Sequence, residues 1–350
     1  MSQMPKKTNE EPQKRESKRL SGRVGESSEM NKQQVPRKKG SQLQTQKRSS
    51  KIMLEDLKNP FPKDKNKKTI EKIHTEKEYT FIPNLTQEIE FSYKEDQNKK
   101  YKIAMEDKGK SIINYLENPK YYLFTLFDGH GGDFVSIYLQ NYFDKYLKKN
   151  LTKFTEEEIK NSITKTFLEI DNAIKEKSLH VGSTGTIVLI IEEKNNILIY
   201  GGNVGDSRCT LFNEKNFERL SFDHRVEDKK EKEKIINSGG MIEEGRVNGQ
   251  LMLTRVFGDF DMKKSGVKCE PYLFSKVIEK NITNQFLIIA SDGIWDIIDE
   301  WEIKDYIFDI CRDYEGSGES VTKHICDKLV DDALQSGSWD NISCFAIRLC

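Results

Sequence analysis

The chain has 350 residues, 33% charged and 35% hydrophobic, with 57 Lys or Arg balanced by 57 Asp or Glu. No apolar run approaches the ~18 residues that a membrane span needs, and no apolar signal core opens the chain, so a soluble protein of the cytoplasm or nucleus without a membrane partner is expected. Six cysteines, at 209, 269, 311, 326, 344 and 350, show neither a C-x-x-C pair nor the regular spacing of a disulfide framework, and a reducing compartment is expected.

The neutral total hides two unlike parts. Residues 1–70 hold 19 basic against 8 acidic residues, a net +11, which leaves 38 against 49, or −11, for the remainder. Rich in Ser, Gln, Asn and Pro and poor in large apolar residues, residues 1–80 are predicted to be a disordered basic extension. Its clusters Lys14-Arg15, Lys18-Arg19, Arg37-Lys38-Lys39 and Lys47-Arg48 suit a solvated arm, a nuclear-import signal or a dock for an acidic partner. Residues 81–350 are long enough for one large domain, expected as a monomer.

In chain order, short strands are predicted over 88–93, 101–105 and 121–127. A helix follows over 134–149, with Val135, Leu139, Tyr142, Phe143 and Tyr146 on one stripe. Thr155 and Glu158 form a capping box for a second helix that buries Ile159, Ile163, Phe167, Ile170 and Ile174. A hairpin of strands 186–191 and 197–200 and a strand over 208–212 come next. A charged helix over 227–238 stops at Gly239-Gly240. Strand 286–290, helices 300–312 and 320–335 and strand 342–349 complete the chain. Many strands with helices arriving in pairs predict an α+β fold of stacked sheets covered by helices.

Acidic residues recur where apolar strands end. The run Tyr122–Phe127 stops at Asp128-Gly129-His130-Gly131-Gly132, and Phe286–Ala290 stops at Ser291-Asp292-Gly293. The first residue past a buried strand projects at the rim of its sheet, where sites are commonly built. Glu106 and Asp107 precede the first of these strands, and Asp340-Asn341 precede the last strand. If these carboxylates converge, like charges about 4 Å apart repel by about 4 kcal/mol at an effective dielectric of about 20. Such a cluster needs protons or cations, and oxygen ligands without His or Cys favour magnesium, manganese or calcium over zinc.

The motifs are Met105-Glu106-Asp107, Phe127-Asp128-Gly129-His130-Gly131-Gly132, Gly182-Ser183-Thr184, Asn203-Val204-Gly205-Asp206-Ser207-Arg208, Asp223-His224, Arg246-Val247-Asn248-Gly249, Thr254–Asp259, Ser291–Asp296 and Trp339-Asp340-Asn341. In number, order and spacing they make residues 88–350 resemble the metal-dependent serine/threonine protein phosphatases of the protein phosphatase 2C family. The resemblance implies a central antiparallel β-sandwich flanked by antiparallel helix pairs, four layers in the order αββα, with two Mg2+ or Mn2+ ions at one end. It implies that Asp128 bridges both ions, that Glu106 and the Gly129 carbonyl serve one, and that Asp292 and Asp340 serve the other. Asp206 and Asp296 match positions that hold a third, weaker ion.

By the same resemblance, a metal-bridging water attacks the phosphorus of phosphoserine or phosphothreonine proteins directly, and His130 gives the leaving alkoxide its proton. One position departs from the pattern. Where the family places an Arg to grip the substrate phosphate, this chain has Lys102, a flexible point charge in place of a planar fork.

Other chemistries fit less well. No Cys has an Arg six positions later, so a Cys-x5-Arg phosphatase is excluded, and Gly109-Lys110-Ser111 lacks the earlier glycine of a phosphate loop because that position is Ala104. A nuclease would need a basic footprint that the acidic domain lacks, so no specific nucleic acid is expected. The alternative from another class is a catalytically silent phosphatase-like module that binds and regulates partners; against it, all the metal-binding acids are present.

Overall fold

A computed structural model describes residues 89–349, so the predicted extension over 1–80 lies outside the described residues. Strands β1 (Glu90–Asp96), β2 (Lys108–Ile113), β3 (Tyr121–Phe127) and the short β4 (Gly129–His130) lead into helices α1 (Phe134–Asn150) and α2 (Glu156–Ile174). There follow β5 (Gly182–Ser183), β6 (Gly185–Glu192), β7 (Asn196–Val204), β8 (Arg208–Phe212) and β9 (Phe217–Arg219). Helix α3 (Lys229–Asn237) precedes three two-residue strands, β10 (Ile242–Glu243), β11 (Arg246–Val247) and β12 (Phe257–Gly258). The chain then forms β13 (Tyr272–Glu279), β14 (Phe286–Ala290), a short α4 (Asp292–Trp295), α5 (Glu300–Tyr314), α6 (Val321–Gln335) and β15 (Ile342–Arg348).

Two five-stranded antiparallel sheets result, in the orders β1-β15-β14-β8-β9 and β13-β7-β6-β3-β2. Their central strands are apolar on both faces because both faces are covered. On β3, Tyr122, Phe124 and Leu126 point into the core between the sheets, while Leu123 and Phe127 meet α1 and α2. On β14, Leu287 and Ile289 point between the sheets, and Phe286, Ile288 and Ala290 meet α5 and α6. This alternation builds the expected αββα order of layers.

Polar side chains start the helices, at the expected Thr155 and also at Asp228 and Ser320. Thr155 Oγ1 accepts the Glu158 N–H at 3.3 Å, Asp228 caps α3 through the N–H groups of Lys230 and Glu231, and Ser320 Oγ accepts the Lys323 N–H at 3.2 Å. Each such cap contributes about 1 kcal/mol.

The structure corrects the reading of residues 101–105, which form a loop and no strand. Asn341 draws that stretch out of the sheet, its Nδ2 donating to the carbonyls of Gln97 and Ala104 at 2.8 and 3.0 Å. Beyond β3 on that side the sheet is completed by β2, which is polar because it is the edge. At the opposite edge β13 is an additional, unpredicted strand. A small satellite core of Val226, Ile235, Val247, Leu253, Val256, Met262 and Val267 gathers α3 and the β10–β11 hairpin into a separate lobe. All five described cysteines are buried and free.

Candidate metal centre

Strand ends deliver the acidic residues to one rim. Asp128 follows β3 and is pinned to β5's neighbour Thr184: its N–H donates to Thr184 Oγ1 at 3.0 Å, and its carbonyl accepts the Thr184 N–H at 2.8 Å. Gly129 pairs with Ser183 in the small β4–β5 ladder. Asp292 follows β14 as the first residue of α4, and Asp296 lies one turn on, its N–H bonded to the Asp292 carbonyl at 2.9 Å.

The next residue, Gly293, is what lets α4 approach the other strand end. A Cβ there would stand 2.1 Å from the Asn341 carbonyl oxygen, so any other residue would push Asp292 away from Asp340-Asn341. Asn341 in turn accepts the Glu106 N–H on its Oδ1 at 2.8 Å. Asn341 thus ties these segments together, its side chain holding the one that carries Glu106 and its backbone carbonyl lying against Gly293, next to Asp292.

Electrostatics record the convergence. Burial pushes the Asp128 carboxyl well above the ordinary carboxylate range, and Asp107, Asp292, Asp340 and Asp206 add to the effect. Asp292 is raised for the same reasons, burial first and then Asp206, Asp340, Asp296 and Asp107. Asp107, 1% exposed, is pushed up to about 6 by burial although Ser343 Oγ donates to it at 2.6 Å. Burial also raises Glu106 against the pull of Lys102. Asp292 Oδ1 is buried with no hydrogen-bond partner among the described residues.

A buried, unpartnered carboxylate oxygen within a group of carboxylates that resist ionisation is the donor set that suits a hard divalent cation. Among the described residues, no three acidic, His or Cys side chains stand in a ready-made ligand shell. Two neighbouring cations engage some of these carboxylates. Lys102 Nζ pairs with Asp340, and Arg225 draws Asp206 and Asp296 to itself. Burial works to lower the Lys102 ammonium, but Asp340, Asp128 and Glu106 hold it above its ordinary range.

His130 sits beside this group with its Nε2 2.5 Å from Asp259 Oδ2. Room for the pair is made by Gly182, where a Cβ would stand 2.3 Å from that oxygen and 2.5 Å from the ring nitrogen. Asp259 is buried, so the contact that fixes the imidazole ring lies on the protein side of the rim.

The other described histidines are elsewhere. His224 is fully buried and bonded to the Gly205 carbonyl, and burial lowers it to about 3, so it is a neutral packing residue. His180 and His324 pair with Asp261 and Glu319 away from the carboxylates. Arg208 is structural, forked onto Asp223 and paired with Glu300 over the Trp295 ring. A cleft of about 810 Å³ between β9 and β13 includes none of the acidic residues of the rim.

Two residues of the site, Arg225 and Asp259, have no role in the sequence analysis, and Asp107 appears there only among the carboxylates expected to converge. Asp107 and Asp259 lie inside quoted motifs and Arg225 directly follows Asp223-His224, so the only signal was adjacency.

The profile of the protein phosphatase 2C family matches residues 91–342. "Protein phosphatase 2C homolog 2" of Schizosaccharomyces pombe is 33% identical over 265 residues, covering 71% of this chain and 69% of that protein. "Protein phosphatase 2C homolog 1" of Saccharomyces cerevisiae is 29% identical over 271 residues, covering 73% and 92%. Among solved structures, a phosphatase from Toxoplasma gondii superposes with a TM-score of 0.62 at 24% identity, covering 74% of this chain and 92% of that one, a likeness of fold.

Proposed function

The chain belongs to the protein phosphatase 2C family of serine/threonine phosphatases, and on that premise we propose that it releases phosphate from phosphoserine and phosphothreonine proteins at a dinuclear Mg2+ or Mn2+ site. Glu106, Asp128, Asp292, Asp340 and the Gly129 carbonyl would hold the two ions. When bound, the pair supplies Lewis acidity and an activated water for direct attack on phosphorus, without a phosphoenzyme. The observation that carries this reading is the buried, unpartnered Asp292 Oδ1 among carboxylates raised by burial and by one another.

The chain's own groups divide the remaining work. Because the buried carboxylates favour protons in the metal-free protein, loading the site releases protons and tightens as pH rises. Lys102, already at the rim beside Asp340, offers the substrate phosphate a mobile ammonium without a fixed fork. His130 uses one ring nitrogen on Asp259 and has the other for the leaving seryl or threonyl oxygen.

Phosphate release from a phosphothreonine peptide, measured with added manganese and again with EDTA, tests the proposal. Turnover that needs the metal and disappears in Asp128→Asn supports it. A folded protein without turnover under any metal would favour the silent regulatory module.

A further inference from the structure

We propose that Arg225 is a tethered cation that closes the Asp206–Asp296 position, so that a third divalent ion enters there only in exchange for its guanidinium. This inference rests on the dinuclear reading above and concerns the neighbouring carboxylates.

The geometry is specific. Arg225 Nε donates to Asp206 Oδ2 at 2.7 Å, its Nη2 lies 2.8 Å from Asp296 Oδ1 and 2.9 Å from Asp296 Oδ2, and Asp292 Oδ2 is 3.7 Å away. Three carboxylates from two strand ends therefore share one positive charge. The side chain is 24% exposed and Asp206 7%, so water screens these contacts only in part.

The arm is also aimed. Arg225 bridges to Leu253, the Val226 N–H donates to the Met252 carbonyl at 3.1 Å, and the His224 N–H donates to the Gly205 carbonyl at 2.9 Å. Val226 is buried in the satellite core, so the backbone on both sides of Arg225 is fixed. A divalent ion such as Mg2+ takes carboxylate oxygens at about 2.0–2.1 Å. The lone pairs it would use on Asp206 and Asp296 are those that now accept from the guanidinium. Ion and arginine compete for the same oxygens, and the arginine is covalently present at high local concentration.

Lysine at this position would hold one carboxylate at a time, whereas the planar fork of arginine spans both. An ion that displaces Arg225 must also leave the guanidinium in solvent beside the lobe it springs from.

Calorimetric titration of the full-length, metal-stripped chain with Mn2+, with circular dichroism to establish folding, is the test. Wild type is expected to show two tight sites and a third that is weak. Arg225→Gln is expected to tighten the third site at least tenfold while the first two stay within about threefold, and Arg225→Lys to tighten it less. The double variant Arg225→Gln with Asp296→Asn is expected to lose the gain. Arg246→Gln, which removes the same charge from the same lobe without touching the carboxylates, is expected to leave the third site within twofold.

A third site unchanged or weakened in Arg225→Gln, or tightened equally by Arg246→Gln, overturns the inference. If Arg225→Gln does not fold, Arg225→Lys decides, since an unchanged third site in that variant also overturns it. Absence of any tight Mn2+ site in folded wild type would instead overturn the dinuclear reading, and the inference with it.

Discussion

Replacing Asp107 with Asn is expected to stabilise the metal-free protein, against the usual result for a buried polar substitution. Asp107 is almost fully buried and its carboxyl is pushed from 3.8 to about 6, so ionising it in the folded state is disfavoured by about 2 pH units, or about 3 kcal/mol at 1.36 kcal/mol per unit. Asparagine keeps the shape and still accepts from Ser343 Oγ, and the shift already includes the bond from Ser343 to the ionised carboxylate. The net gain is therefore about 3 kcal/mol, which for a domain of this size raises the melting temperature by about 6–12 °C. The sign with pH follows from linkage. Between pH 3.8 and 6 the folded state binds more protons than the unfolded chain, so the penalty is absent below 3.8, grows through that window and is complete above 6. Thermal unfolding in EDTA at pH 4 and pH 7.5 therefore separates the two proteins only at the higher pH, and Mn2+ reduces the difference by neutralising the cluster. A variant less stable than wild type in EDTA at pH 7.5, or a gain that ignores pH, would refute the reasoning.

Asp292→Asn and Asp128→Asn are each expected to fold, to abolish manganese-dependent turnover and to lose the metal-induced rise in melting temperature; at 100 times the dissociation constant that rise represents about 2.7 kcal/mol. Lys102→Arg is expected to raise kcat/KM on a phosphothreonine peptide about fivefold, as one charge-assisted hydrogen bond of about 1 kcal/mol would, with no gain if Lys102 never meets the phosphate. Asp259→Asn is expected to slow phosphothreonine peptide hydrolysis at least tenfold while sparing p-nitrophenyl phosphate, whose leaving group needs no proton; equal losses on both would remove His130 from the role of acid.

The parts of the fold that could be read from the chain are those where one residue's environment repeats along the sequence. The α1 and α2 stripes and the unbroken apolar runs of β3, β6 and β14 belong to elements covered on both faces or along one whole stripe. Edge strands lack that regularity. β2, with its Lys-Gly-Lys-Ser opening, and β13 each pair on one side only, and neither was predicted. In the site, Asp128 and Asp292 were visible because each closes an apolar run, Glu106 and Asp340 because each precedes one, and the resemblance grouped them. Their counter-ions were not, since Asp259 reaches His130 across 129 residues and Arg225 reaches Asp296 across 71, separations that no local pattern encodes. Residues 101–105 misled for the opposite reason: a plausible strand pattern was overruled by the side chain of Asn341, far along the chain.

The pairing of β1 with β15 has a practical corollary for anyone re-engineering the domain. Glu90 faces Arg348 at one end of this ladder, and Asp96 faces Ile342, next to Asn341, at the other. Six steps of about 3.3 Å place the Glu90–Arg348 pair about 20 Å from the end that adjoins Asn341, with residues 89 and 349 next in the chain. A circular permutant that joins 349 to 89 through a few glycines, with new termini opened in an exposed turn such as 193–195, would keep every strand in register. Tags or tethered cargo attached at residue 89 would hang from the far end and leave the approach of a phosphoprotein clear.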